Sequence, residues 1–180
     1  MSDLLYHFSE DPAIPRFVPQ VSQSSGVRDP LVWAIDPAHA DLYLFPRDCP
    51  RVTFHATPET SLEDRTRFLG LTTARRVSAI EATWLQAMRE THLYRYVLPG
   101  DGFELRDANA GYWVCDRPVE PLRVEPVGDL LAALVDADVE LRVMPSLWSL
   151  YEAVIASSLG FSIIRWRNVA PRPEQPITSP

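Results

Sequence analysis

The longest uninterrupted apolar run in this chain is LLAALV, residues 130–135, and every other hydrophobic stretch is shorter. Six residues fall far short of the roughly 20 needed to cross a bilayer as a helix. No basic region precedes a continuous apolar stretch near Met1, so the pattern predicts a soluble protein without a signal segment. What remains is a fold assembled from many brief elements.

LLYHF reads as a first strand, and residues 11–30, with Pro12, Pro15, Pro19, SQSSG and Pro30, as a long loop of the kind that often carries function. LVWAI (31–35) is apolar and β-rich. DPAHADLYLF then opens a helix, with Asp36 as cap, Pro37 at the first helical position and Pro46 as the stop. RVTFHA (51–56) alternates like a strand. Val77, Ile80, Trp84, Leu85 and Met88 recur at helical spacing, and Ser78 with Glu81 resembles a capping box, which predicts a helix from Ser78.

LYRYVL, FEL, GYWVC and EPLRVEPV read as strands of an antiparallel meander. In the last third DLLAALVDA is helical, VELRV is a strand, SLWSLYEAVIASSLG is a helix capped by Ser146 and stopped by Gly160, and FSIIRW is a final strand. Strands outnumber helices without strict alternation. The expectation is an α+β fold, a single compact domain over residues 1–169 of mixed, mostly antiparallel strands with three or four helices. The tail, residues 170–180, holds four prolines in eleven residues and no apolar period, as a disordered or loosely draped segment would.

Composition removes many functions. The 180 residues are 46% hydrophobic, enough for a real core, and carry a formal charge of −7, which argues against broad, salt-driven nucleic-acid binding. All 17 basic residues are arginines, so Schiff-base chemistry and the lysine-dependent phosphate loop are excluded. The four histidines (His7, His39, His55, His92) show no metal-ligand spacing, and no metal is expected. Two distant cysteines, Cys49 and Cys115, indicate neither a disulfide framework nor structural zinc and suit a cytoplasmic location.

Two stretches could carry chemistry. In LYHFSED, His7 could hydrogen-bond a ligand or act as acid or base near pH 7; equally, it could pack at a strand end on a backbone partner. Glu10 and Asp11 suit the turn, and a hydrolase using them with His7 lacks an oriented nucleophile. In VWAIDPAHADLYLFPRDCPR, Tyr43 could stack on a base while Arg47 clamps a phosphate or carboxylate; the alternative puts Tyr43 in the core and Arg47 on Asp48 or on helix carbonyls. Cys49 lies between Arg47 and Arg51, an electropositive setting for a thiol, but no histidine is adjacent.

The series YHFSEDP, VWAIDPAHADLYLFPRDCPRV, YWVCDRPVEPLRVEPVGDLL, VELRVMPSLWSL and SSLGFSIIRWRN resembles a family of bacterial proteins of about this length without assigned activity. More loosely, Y-H-F on a first strand, V-W-A-x-D feeding a helix with A-x-x-Y, and a late strand pair resemble the ADP-ribosyltransferase-like fold, which holds a dinucleotide in a split between two small sheets. The resemblance implies that His7 contacts ribose and amide and that Tyr43 is the stacking aromatic of a site for NAD or ADP-ribose; no glutamate stands at the late-strand position where that fold carries one, and GYWVCD offers only Cys115 and Asp116 there. The expectation is that His7, Tyr43 and Arg47 face one cleft rimmed by the loop at 11–30, with Trp33 and Arg51 as further ligand-binding candidates and Asp116 as a catalytic candidate beside His7. A ligand-binding protein or active or degenerate transferase follows from that resemblance. The alternative is a non-catalytic interaction or homodimerisation module built on exposed Trp113 and Trp148.

Overall fold

The computed structural model describes residues 4–21 and 29–173, and these form ten strands with short helical connections. Two compact units account for them: Met1–Arg47 with Glu90–Ala133, and Asp48–Arg89 with Leu134–Pro180. Each unit is therefore built from two separate stretches of chain. The class is α+β, with strands mostly antiparallel.

The first unit is a six-stranded sheet from β1 (Leu4–Ser9), β2 (Val32–Ile35), β5 (Tyr94–Pro99), β6 (Glu104–Asp107), β7 (Tyr112–Cys115) and β8 (Arg123–Pro126), in the order β6-β7-β2-β1-β5-β8. All neighbours run antiparallel. Side chains alternate across a strand. One face therefore gathers Leu5, Val32, Ala34, Tyr96, Leu98 and Cys115 into a core closed by Phe17, Phe103 and Val119. The expected meander is corrected: β6 and β7 form a hairpin at one edge, while β8 lies at the other edge beside β5.

The long loop is tied to that core rather than free over its described part. Phe17 and Val119 exchange backbone bonds of 2.8 and 2.9 Å, and Gln20 and Leu31 do the same at 3.1 Å. The Tyr96 hydroxyl, on a fully buried ring, donates to the Asp11 carbonyl (2.6 Å) and accepts from Ile14 N (3.0 Å). Residues 22–28, which include SQSSG, lie outside the described residues.

The second unit carries a four-stranded sheet, β10-β3-β4-β9, from β3 (Arg51–His55), β4 (Arg76–Glu81), β9 (Val139–Met144) and β10 (Gly160–Ile164). Only β4 and β9 pair in parallel. Its helical segments are α1 (Leu62–Asp64), continued by a wider turn over Arg65–Leu69, and α4 (Trp148–Ile155); α2 (Leu85–Glu90) and α3 (Leu130–Asp136) cross the unit boundaries in sequence. Val52, Phe54, Val77, Ala79, Leu147 and Val154 form its core.

Two expected helices are corrected here. Residues 76–81 are strand β4, with all six buried between β3 and β9. β4 is buried on both faces, with Val77, Ala79 and Glu81 on one and Arg76, Ser78 and Ile80 on the other, so its apolar residues follow no strict alternation and Val77 and Ile80 fit a helical period as readily. Ser78 is no cap, since its hydroxyl pairs with Thr53 Oγ1 across the sheet at 2.8 Å. Helix begins only at Ala82, as one tight turn leading into α2. Likewise α4 ends at Ile155, and Gly160 is the first residue of β10. A β-carbon at Gly160 would sit 2.7 Å from the His55 ring, so close strand contact, not helix termination, requires glycine there.

The helix after β2 is observed, as a tight 3₁₀ segment over Pro37–Tyr43. Asp36 caps it as expected, its carboxylate accepting from His39 N (2.9 Å) and from the His39 ring (2.8 Å). Among the described residues no helix is long and apolar enough to cross a membrane.

Candidate functional site

The ladder between β1 and β2 registers only Tyr6 with Ile35, whereas β1 pairs with β5 along its whole length, Leu4 to Ser9. From His7 onward the two strands part. His7 bridges the opening with its side chain: the Trp33 carbonyl accepts from Nδ1 at 3.0 Å. A carbonyl can only accept, so Nδ1 carries the proton and Nε2 is the unprotonated nitrogen. Burial is the largest cause holding the His7 pKa below its ordinary value; the bond to Trp33 opposes it and the Arg47 guanidinium adds to it. The ring is neutral at pH 7 and packs against Phe17 at 4.6 Å on the core side of the sheet.

The opposite side of the same split carries aromatic rings. Phe8, next to His7 on β1, points away from the core and stacks nearly parallel on Tyr43, centroids 6.3 Å apart. The Tyr43 hydroxyl donates to that of Tyr112 (2.9 Å), and Tyr112 meets Trp33 edge to face at 5.8 Å. Phe8, Trp33, Tyr43 and Tyr112 come from four elements, and all four are half-buried. The Trp33 indole N–H is buried without a hydrogen-bond partner among the described residues. Burying a donor without a partner carries a free-energy cost, and the Trp113 indole N–H, on the core side of the same sheet, is in the same state among the described residues.

The positions singled out from sequence thus separate. Trp33 and Tyr43 lie in the aromatic group. Arg47 is exposed at the end of this segment, its backbone N–H donating to Glu10 Oε1 (2.8 Å), and its charge reaches His7. His7 faces the other side of the sheet from Tyr43. Asp116 is exposed just after β7. Arg51 belongs to the second unit, 2% exposed in β3, with Nη1 donating to the Cys49 carbonyl (3.0 Å). Cys49 is fully buried, and burial pushes its thiol up to about 12; Arg51 opposes this and Glu81 adds to it. That is the reverse of an activated thiolate. Trp113 and Trp148 are half-buried and packed within their own units rather than displayed.

Phe8 and Tyr112 escaped the sequence reading. Alternation in YWVC places Tyr112 opposite Trp113 and was a usable signal, but the pairing of β7 with β2 that brings Tyr112 to Trp33 is non-local. Among the described residues no group of three or more His, Cys, Asp or Glu could hold a metal ion. Neither the curated proteins nor the solved structures contain a match to this chain. A family of unknown function, DUF6886, matches residues 6–169, nearly the whole sequence, and the chain belongs to that family.

Proposed function

We propose that the first unit binds a planar, anionic ligand of the nucleotide class, such as NAD or ADP-ribose, on the aromatic side of the β1–β2 split. The observation that carries this reading is the relay of contacts from Phe8 through Tyr43 and Tyr112 to Trp33 on one side of the sheet, ending at an indole whose N–H has no partner among the described residues. Half-exposed rings offer stacking surface to a base or nicotinamide, and stacking contributes about 1–3 kcal/mol per base. The indole N–H supplies a directional donor for a carbonyl or ring nitrogen. Arg47, exposed beyond Tyr43, suits a phosphate. The loose resemblance to the ADP-ribosyltransferase-like fold favours the same ligand class.

His7 acts through Trp33 in this reading. By holding the Trp33 carbonyl where the ladder fails, it fixes the backbone that presents the indole, which makes it a positioning residue. Binding, rather than transfer, is the activity proposed.

Calorimetric titration with NAD and with ADP-ribose tests the proposal. The expected result is saturable binding that weakens by about tenfold or more in Tyr43→Ala, since 1.4 kcal/mol is a factor of ten. Trp33→Phe, which keeps a ring but removes the donor, should also weaken it. His7→Ala should loosen binding, and His7→Asn, whose amide can donate to the same carbonyl, should restore most of it. No saturation by either compound, or equal affinity in Tyr43→Ala, would overturn the reading.

A further inference from the structure

Each sheet ends in two edge strands, and three of these four carry charge. β6 and β8 bound the first sheet with Glu104, Arg106 and Asp107 on one and Arg123, Glu125 and Pro126 on the other; β9 bounds the second with Glu140 and Arg142. Charged side chains must give up water, and proline lacks a donor, before another strand can pair at such an edge. β10, the remaining edge, reads Gly160-Phe161-Ser162-Ile163-Ile164, without charge or proline. It pairs with β3 from Gly160 opposite His55 to Ile164 opposite Arg51, and among the described residues no other segment bonds to its backbone. Phe161 and Ile163 share a face, and their partners Phe54 and Val52 are fully buried core residues. Ile163 packs on that core, whereas Phe161 stays 46% exposed where the sheet stops.

We infer that a second copy of this chain pairs along β10, antiparallel and with the two-fold axis at Ser162, so that the second sheet continues from one copy into the other. The strand is its own complement in this register. Ser162 lies opposite the second copy's Ser162, Phe161 opposite its Ile163, and Gly160 opposite its Ile164. An aromatic ring opposite a β-branched side chain is a favourable cross-strand pair, and both such pairs fall on the core face, where each covers an exposed Phe161 ring. The register is also selected by geometry. A slip of one residue sets Phe161 against the face that carries Ser162, and a slip of two leaves two residues of each strand unpaired. With a formal charge of −7 on each chain, an uncharged edge brings two copies together without opposing like charges. One strand pair buries less surface than a permanent dimer does, so the association is of the micromolar class.

Light scattering of the full chain over about 5–500 μM tests the pairing, and the expected result is a monomer–dimer equilibrium within that range. Phe161→Glu changes a half-exposed rim position and places a charge on the edge; it should weaken the dimer at least about tenfold while the far-ultraviolet circular dichroism stays unchanged. Cross-linking then tests the register. Residues directly opposite in an antiparallel pair have β-carbons about 4.5–5.5 Å apart, close enough for a disulfide after a small adjustment. Ser162→Cys should therefore form a covalent dimer on mild oxidation with diamide, whereas Phe161→Cys, which faces isoleucine in the second copy, should do so at least about tenfold more slowly. The native Cys49 and Cys115 are buried and do not compete. A chain that stays monomeric to about 500 μM, a dimer indifferent to Phe161→Glu, or equal cross-linking of the two cysteine variants overturns the inference.

Discussion

Replacing Tyr96 by phenylalanine removes one oxygen from the fully buried ring that ties the segment after β1 to the first sheet. That oxygen donates to the Asp11 carbonyl at 2.6 Å and accepts from Ile14 N at 3.0 Å. Each such bond contributes about 0.5–1.5 kcal/mol net, so the pair sets a range of about 1–3 kcal/mol. Asp11 is exposed and its carbonyl can be taken up by water, whereas Ile14 is half-buried and packs on the core, so its amide is the costlier orphan. The central expectation is about 2 kcal/mol, or about 4–8 °C in Tm for a chain of this size. The ring contact between Phe17 and Tyr96, 5.1 Å edge to face, survives the change. The loss is therefore local to the strap, and the Ile14 amide should exchange with solvent about tenfold faster while core amides of β5 keep their protection. Urea unfolding and amide exchange followed by NMR measure both. A Tm change under about 1 °C with Ile14 still protected would refute the role given to this hydroxyl.

Because its folded pKa is depressed, His7 takes up a proton less readily in the native state than in the unfolded one. Its contribution is therefore intact above about pH 6.5 and is lost as pH falls through that value, with a limiting slope of about 1.4 kcal/mol per pH unit. Unfolding at pH 5.5 and 7.5 in the native chain and in His7→Asn should show the native chain losing more stability on acidification; equal losses sink the assignment. Cys49, with its thiol pushed to about 12 and no exposure, should resist iodoacetamide at pH 8 until the chain is unfolded. Rapid labelling of the native protein at that position would contradict the burial. Met88, 1% exposed in α2, should cost about 2–5 kcal/mol when cut to alanine, and an unchanged urea midpoint would show that its site refills.

Local chemistry made much of the secondary structure legible in the sequence. The Asp36-Pro37 helix start, the strand runs LYRYVL and VELRV and the helix in DLLAALVDA depend on neighbours a few residues apart, and they stand where those neighbours put them. VSAIE at 77–81 was ambiguous for a physical reason, since a run buried on both faces loses the alternation that separates strand from helix, and only pairing with β3 and β9 decides it. The site follows the same rule. Single residues such as His7, Trp33, Tyr43 and Arg47 stood out by type, yet the pleat puts His7 and Phe8 on opposite sides of one sheet, and the pairing of β7 with β2 brings Tyr112 from far along the chain to Trp33. The unpartnered indole N–H of Trp33, and the hydrogen bonds of the Ala170 backbone to Glu81 and Trp148, exist only once segments distant in sequence are packed together, because satisfaction of a polar group is a property of its surroundings and not of its residue type.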